Sequence, residues 1–328
     1  MQGMTGWSRG GRCAAYTMLR GLALGAALLG VTGCGTPQAI STKHLVSPTQ
    51  ISAGGLFACA VDGGVTPITV NCWGRNDKSQ LFVPTMIAPN TLTLVSSGWF
   101  HACALNSGAT PPSIVCWGQG NSGQTVAPVM VAPFQVAAGG YHSCAIDVVT
   151  AVNTVKCWGA NNSGQITVPA LTTPTLLAAG ELHTCALDGT AVKCWGDNTY
   201  GQAPATVTAP ALAAPSQVTA GMRHSCALDG GAVKCWGDNT YGQTTVPLAA
   251  QSLQTMVASG TQHNCASNGT AVTCWGRNAA GQTTVPTLTG TVLGVAAGDN
   301  FSCALLNNAG VKTVTCWGDN TYGQTKVP

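Results

Sequence analysis

Charge is scarce in this sequence. Lys, Arg, Asp and Glu make up 7% of the 328 residues, with no basic run. That composition excludes the electrostatic footprint that a phosphate backbone requires. Aromatic residues are few at 6%, and seven of the nine Trp recur in one motif. Long hydrophobic runs are missing too. The apolar stretch Leu22 to Val31 is too short to span a bilayer. Catalytic signatures are absent: no nucleophile elbow, no phosphate-binding Gly loop, and no pair of carboxylates that stands out for glycoside chemistry. Cys-x2-Cys spacing and dense Asp-x-Asx loops, which zinc and calcium sites need, do not occur. These absences predict a protein that is not an enzyme and has no metal and no cofactor.

Glycine, with 42 residues, and cysteine, with 16, are abundant. Short strands and turns are expected from that mixture with Val, Ala and Thr. The chain starts with Arg9, Arg12 and Arg20 ahead of the apolar stretch, a signal-peptide pattern. It ends in Val31-Thr32-Gly33-Cys34, which resembles a bacterial lipobox. Three segments are therefore predicted. Residues 1–33 are a lipoprotein signal peptide, 34–48 a lipidated Cys34 with its tether, and 49–328 the folded body. The other ten basic residues balance the ten acids, so the mature part is neutral. An exported, lipid-anchored protein of the cell envelope (outer membrane or surface) is expected.

Cys-Trp-Gly triplets begin at Cys72, Cys116, Cys157, Cys194, Cys235, Cys274 and Cys316, spaced by 44, 41, 37, 41, 39 and 42 residues. A period near 40 residues with several strands per unit is the signature of a propeller or similar array. Each unit parses as four strands. An apolar strand reaches a Gly turn (Gly54, Gly98, Gly139, Gly180, Gly221, Gly260, Gly298). The next strand carries the first Cys. A hairpin leads to the Cys-Trp-Gly strand, a turn ends in Gly-Gln, and a last strand closes on Pro.

Cysteine arithmetic fits export. Without Cys13 and Cys34, fourteen remain as Cys59 and Cys72, Cys103 and Cys116, Cys144 and Cys157, Cys185 and Cys194, Cys226 and Cys235, Cys265 and Cys274, and Cys303 and Cys316. An even, paired count outside the cytoplasm reads as a disulfide set. Placing Cys185 opposite Cys194 puts Gly189-Thr190 in a two-residue turn, and the same rule puts Gly230-Gly231 in the next. It also aligns six aliphatic pairs, such as Leu187 with Val192 and Leu305 with Val314. Ser267 with Val272 departs, and an Asn-Gly turn at Asn268-Gly269 would shift that repeat by two residues.

The stretch Ala-Gly-x-x-His-x-Cys-Ala-Leu … Val-Lys-Cys-Trp-Gly-x-Asn-x-x-Gly-Gln resembles the repeat of the regulator of chromosome condensation family, in an exported, cysteine-paired bacterial lipoprotein form. The resemblance covers all seven units. It implies an all-β, seven-bladed β-propeller of about 41-residue repeats with four strands per blade. Departures are Phe57 and Phe301 in place of His, Ser79 in place of the last Gly, and Gly120 in place of Asn. The nuclear exchange activity known in that family does not carry over to a neutral, exported chain.

Recurrence separates structure from function. His101, His142, His183, His224 and His263 hold one repeat position and are expected to bond neighbouring backbone. Asp197, Asp238 and Asp319 open turns. The two residues after each ring glycine vary instead. Trp99, Phe100, Tyr141, Glu181, Leu182, Met222 and Arg223 are the candidate binding residues, several of them of types enriched in interface hot spots. The longer hairpins of repeats seven, one, two and three form a second candidate surface on the opposite face. The expected function is a surface-tethered scaffold that binds an envelope or extracellular protein or glycan, without nucleic acid. A purely structural lipoprotein and an enzyme acting on polymers are the alternatives.

Overall fold

The computed structural model describes residues 44–328 apart from 66–67, 85–90 and 208–209. The expected signal peptide and the expected lipidation site at Cys34 lie outside the described residues. Seven antiparallel three-stranded sheets follow one another, one per repeat. The first holds Pro48–Ala53, Phe57–Asp62 and Thr69–Gly74. The second holds Leu92–Ser97, His101–Asn106 and Ser113–Gly118. The third holds Pro133–Ala138, His142–Val149 and Val152–Gly159, and the fourth Pro174–Ala179, His183–Asp188 and Ala191–Gly196. The fifth holds Pro215–Ala220, His224–Asp229 and Ala232–Gly237, and the sixth Met256–Ser259, His263–Ser267 and Val272–Gly276. The seventh holds Thr291–Ala297, Phe301–Asn308 and Val311–Gly318. Among the described residues no helix is long and apolar enough to cross a membrane.

The expected fourth strand is corrected. Among the described residues the chain after the Gly-Gln turn runs on without a ladder, and each blade has three strands. Blade 4 shows remnants of pairing there, Cys194 N–H to Pro204 O at 3.3 Å and Val207 N–H to Val192 O at 3.1 Å. Proline explains part of this. Pro84, Pro169, Pro204, Pro247 and Pro286 stand in or just after this segment, and none has an N–H to donate.

The hairpin register is as the cysteine arithmetic requires. All seven cysteine pairs are directly opposed and bonded. Blade 6 does not shift: Ser267 faces Val272. The Asn268 carboxamide accepts the N–H groups of Thr270 and Ala271 and so caps a four-residue loop. Gly230 and Gly231 take φ of +58° and +84° in the fifth hairpin, where a side chain would be strained.

Packing is organised between blades rather than within them. Seven buried clusters each join two neighbouring sheets. Each repeat Trp fills the junction with the blade before it. Trp236 packs on blade 4, and Trp73 of blade 1 packs on Phe301 and Leu305 of blade 7. The seventh sheet thus meets the first. The Leu45 N–H to Pro328 O bond, at 3.3 Å, ties the two ends of the described chain. The first strand of every blade lines a central channel of about 290 Å³.

Candidate functional site

The site is built at one end of that channel, where the ring glycines lie. Each stands where a Cβ would collide with the carbonyl oxygen of the next blade's ring glycine, and Gly298 closes on Gly54. Backbone bonds belt this ring: Gly140 N–H to Gly180 O at 3.0 Å, Thr261 N–H to Gly298 O at 3.0 Å and Asp299 N–H to Gly55 O at 3.0 Å. A side-chain belt runs beneath it. His183 Nε2 lies 2.8 Å from Ser225 Oγ of the next blade. Ser225 donates to Gln202 O at 3.1 Å, and Trp236 Nε1 donates to the same oxygen at 3.0 Å. The pattern recurs from His101 to Ser143, His142 to Thr184, His224 to Asn264 and His263 to Ser302. The partner is therefore a side chain of the next blade, not neighbouring backbone. Burial lowers these imidazoles to about 3 (His101, His183, His263) or about 4 (His142, His224), so they are neutral. Among the described residues no group of three or more His, Cys, Asp or Glu could hold a metal ion.

The recurrent turn is equally internal. Gln202 Oε1 accepts Tyr200 N–H and Gln202 Nε2 donates to Asp197, both at 2.8 Å. Acids at the end of the middle strand are also structural. Asp188 accepts the N–H groups of Thr172 and Thr173 and pairs with Lys193 at 2.8 Å. Burial opposes its ionisation, but the Lys193 hydrogen bond and these amides hold it below the usual carboxylate range. Asp147 with Lys156 and Asp229 with Lys234 repeat the arrangement.

The variable residues meet on this face. Trp99, Phe100 and Tyr141 form one cluster, with ring centroids 5.9 to 6.4 Å apart. Trp99, Glu181 and Met222 line the channel mouth, a cavity of about 60 Å³. Leu182 and Arg223 are not brought into the aromatic cluster. The Leu182 carbonyl accepts Asp197 N–H at 2.9 Å. Arg223 lies 4.9 Å over the Tyr200 ring and donates to its hydroxyl at 2.9 Å.

Sequence reasoning missed two members. Arg75 sits 5.6 Å over Phe100 and 5.1 Å over Tyr322, and pairs with Asp77. Arg75 and Arg277 occupy the position filled by Asp197 and Asp238 in other repeats, and the preceding blade supplies a Tyr to each. That covariation between successive repeats was the available signal.

Residues 93–124, 175–202, 216–243 and 292–324 match the regulator of chromosome condensation (RCC1) repeat. No curated protein sequence matches the chain. The receptor kinase CR4 ectodomain from Physcomitrella patens is 25% identical, with 82% of this chain and 72% of that chain covered and a TM-score of 0.62. The CRINKLY WD40 ectodomain of Arabidopsis thaliana ACR4 is 24% identical, over 84% and 98%, with a TM-score of 0.61. Prp20p from Saccharomyces cerevisiae, described with its binding to Gsp1p and histones, is 17% identical over 77% and 81%, with a TM-score of 0.61. Four of the seven units thus match the RCC1 repeat, and the chain shares the fold of these propellers.

Proposed function

We propose that this propeller of RCC1 repeats is a non-catalytic, surface-tethered scaffold that binds a protein partner through its channel-mouth face. The observation that carries the reading is the arc of Tyr322, Arg75, Phe100, Trp99 and Tyr141 across blades 7, 1, 2 and 3. Trp, Tyr and Arg are the residue types enriched at binding hot spots. A protein fits this arc better than a glycan. The three clustered rings are half-buried and pack edge to face or tilted, and the more exposed Tyr200, Tyr241 and Tyr322 are each covered by an arginine. The exposed tyrosine faces are thus not left open for a sugar to stack on.

Connectivity supports the orientation. Val46 and Ser47 donate their N–H groups to the Asp62 carboxylate, both at 2.9 Å, at the hairpin end of blade 1. The described chain therefore enters the propeller on its hairpin face, opposite the aromatic arc. Seven disulfides fit an oxidising compartment outside the cytoplasm, and the CR4 relative is itself an ectodomain. The longer hairpins of blades 3 and 7 extend the other face and are a weaker candidate, since their exposed apolar residues, Val152 and Val311, stand singly.

The test is alanine replacement of Trp99, Phe100 and Tyr141 together, followed by capture from envelope extracts. Partners held by the parent should be lost while the melting temperature stays near that of the parent. Capture of the same proteins by the triple variant would refute the reading, and binding to a glycan panel in place of proteins would transfer it to sugars.

A further inference from the structure

The residues that follow the ring glycines form the rim of the channel mouth. In blade order from the seventh they are Asp299, Gly55, Trp99, Gly140, Glu181, Met222 and Thr261, and all but Asp299 line the mouth cavity. Trp99 has a glycine on each side and a carboxylate one position beyond each glycine. A Cβ on Gly140 would stand 2.6 Å from Glu181 O, and one on Gly55 would stand 2.8 Å from Trp99 O, so the backbones of neighbouring blades approach closely on both sides of Trp99.

No rim position carries a cation. Among the described residues the Glu181 carboxylate makes no ion pair and no hydrogen bond, and Asp299 is held only by the Thr261 hydroxyl. Arg223 and Arg277 are the nearest opposite charges, and both are engaged elsewhere. Arg223 is stacked on Tyr200. Arg277 lies 5.3 Å over Tyr241 and donates to Gln262 Oε1 at 2.7 Å. Burial raises both acids above their ordinary values, and Arg223 and Arg277 offset this only in part.

We propose that the channel mouth is a binding site for an alkylammonium group, with Trp99 as the aromatic wall and Glu181 as the counter-charge. An aromatic ring and a carboxylate around a small, partly desolvated space are the elements that recognise an ammonium ion. A lysine side chain of the protein partner is one source, and a free amine is the other. The inference deepens the reading of this face as the binding surface and rests on it.

The experiment titrates the full folded chain by NMR at pH 7 with three probes: n-butylammonium chloride, an N-acetylated Gly-Lys-Gly amide, and the same peptide with ε-acetyl-lysine. The reporter is the Trp99 indole N–H resonance, identified by its loss in Trp99→Phe. A saturable shift with the lysine peptide, absent with the acetylated one, is expected. An equal response to butylammonium assigns the site to amines in general, and a response to the peptide alone assigns it to lysine in a polypeptide. Glu181→Gln should weaken binding about tenfold or more, with an unchanged melting temperature because no intramolecular bond is lost. No shift with either cationic probe, equal binding of the acetylated peptide, or full affinity in Glu181→Gln overturns the proposal. If Glu181→Gln captures the same partner as the parent while the aromatic triple variant does not, the cation site fails and the face reading stands.

Discussion

Phe301 of the seventh blade shares a buried cluster with Ala58 of the first, at the junction where five other blades use a histidine bonded to a polar side chain. Phe57 and Ala102 make the second such pair, between blades 1 and 2. Wherever the histidine is replaced, its partner on the next blade is replaced as well. Losing one member would strand a buried polar atom, whereas losing both leaves an apolar contact.

A double-mutant cycle tests this directly. Ser225→Ala leaves His183 Nε2 without its partner and should cost about 1–3 kcal/mol. His183→Phe sets an apolar ring against the Ser225 hydroxyl and should cost a similar amount. The double variant rebuilds the pair seen at Phe301 and Ala58. Its loss should be smaller than the sum of the singles by at least about 1 kcal/mol, read by urea unfolding with disulfides intact.

Acid should loosen every histidine junction. Burial holds these imidazoles below their ordinary value of 6.5, so the unfolded chain binds protons first as pH falls. Stability is full above pH 6.5 and declines through pH 4, by at most about 1.4 kcal/mol per pH unit for each histidine. Glu181 and Asp299, raised by burial, act in the opposite sense, but they are two against five. Thermal melts from pH 7 to 4 should show a steadily falling midpoint, with a shallower slope in the His183→Phe and Ser225→Ala double variant. A flat profile would contradict neutral buried histidines.

The glycine ring makes a sharper contrast. A Cβ on Gly139 would sit 2.5 Å from both His142 Cε1 and Gly180 O, so Gly139→Ala must displace a ring or a backbone carbonyl. It should cost more than about 3 kcal/mol or prevent folding. Gly164, with φ of +80° and no neighbour within 4 Å of an added Cβ, meets only conformational strain. Gly164→Ala should cost about 1–2 kcal/mol. Equal effects in chemical unfolding would show that the ring packing is unimportant.

Much of the fold was legible because the repeat supplies seven readings of one pattern. Opposed cysteines fix the hairpin register, and aliphatic pairs confirm it two residues away. The fourth strand was misread because Val-Pro endings look extended, but among the described residues they form no ladder. At the site, Trp99, Phe100 and Tyr141 stood out as variable residues beside fixed glycines. Arg75 and Tyr322 did not. They are 247 residues apart in number and meet only because the seventh blade adjoins the first. The partner of each histidine was hidden for the same reason. Ser225 lies one position after a histidine, and nothing local says that it faces the blade before it.

The most direct test of the account places a photocrosslinking amino acid on each face of the full chain in turn. Tyr141 and Tyr322 sample the channel-mouth arc, and Val152 and Val311 sample the hairpins of the same two blades. Irradiation in envelope preparations, followed by mass spectrometry, should yield the same partner adduct from both tyrosine positions and none from either valine. Adducts from Val152 and Val311 alone would place the binding surface on the other side of the propeller and contradict the account.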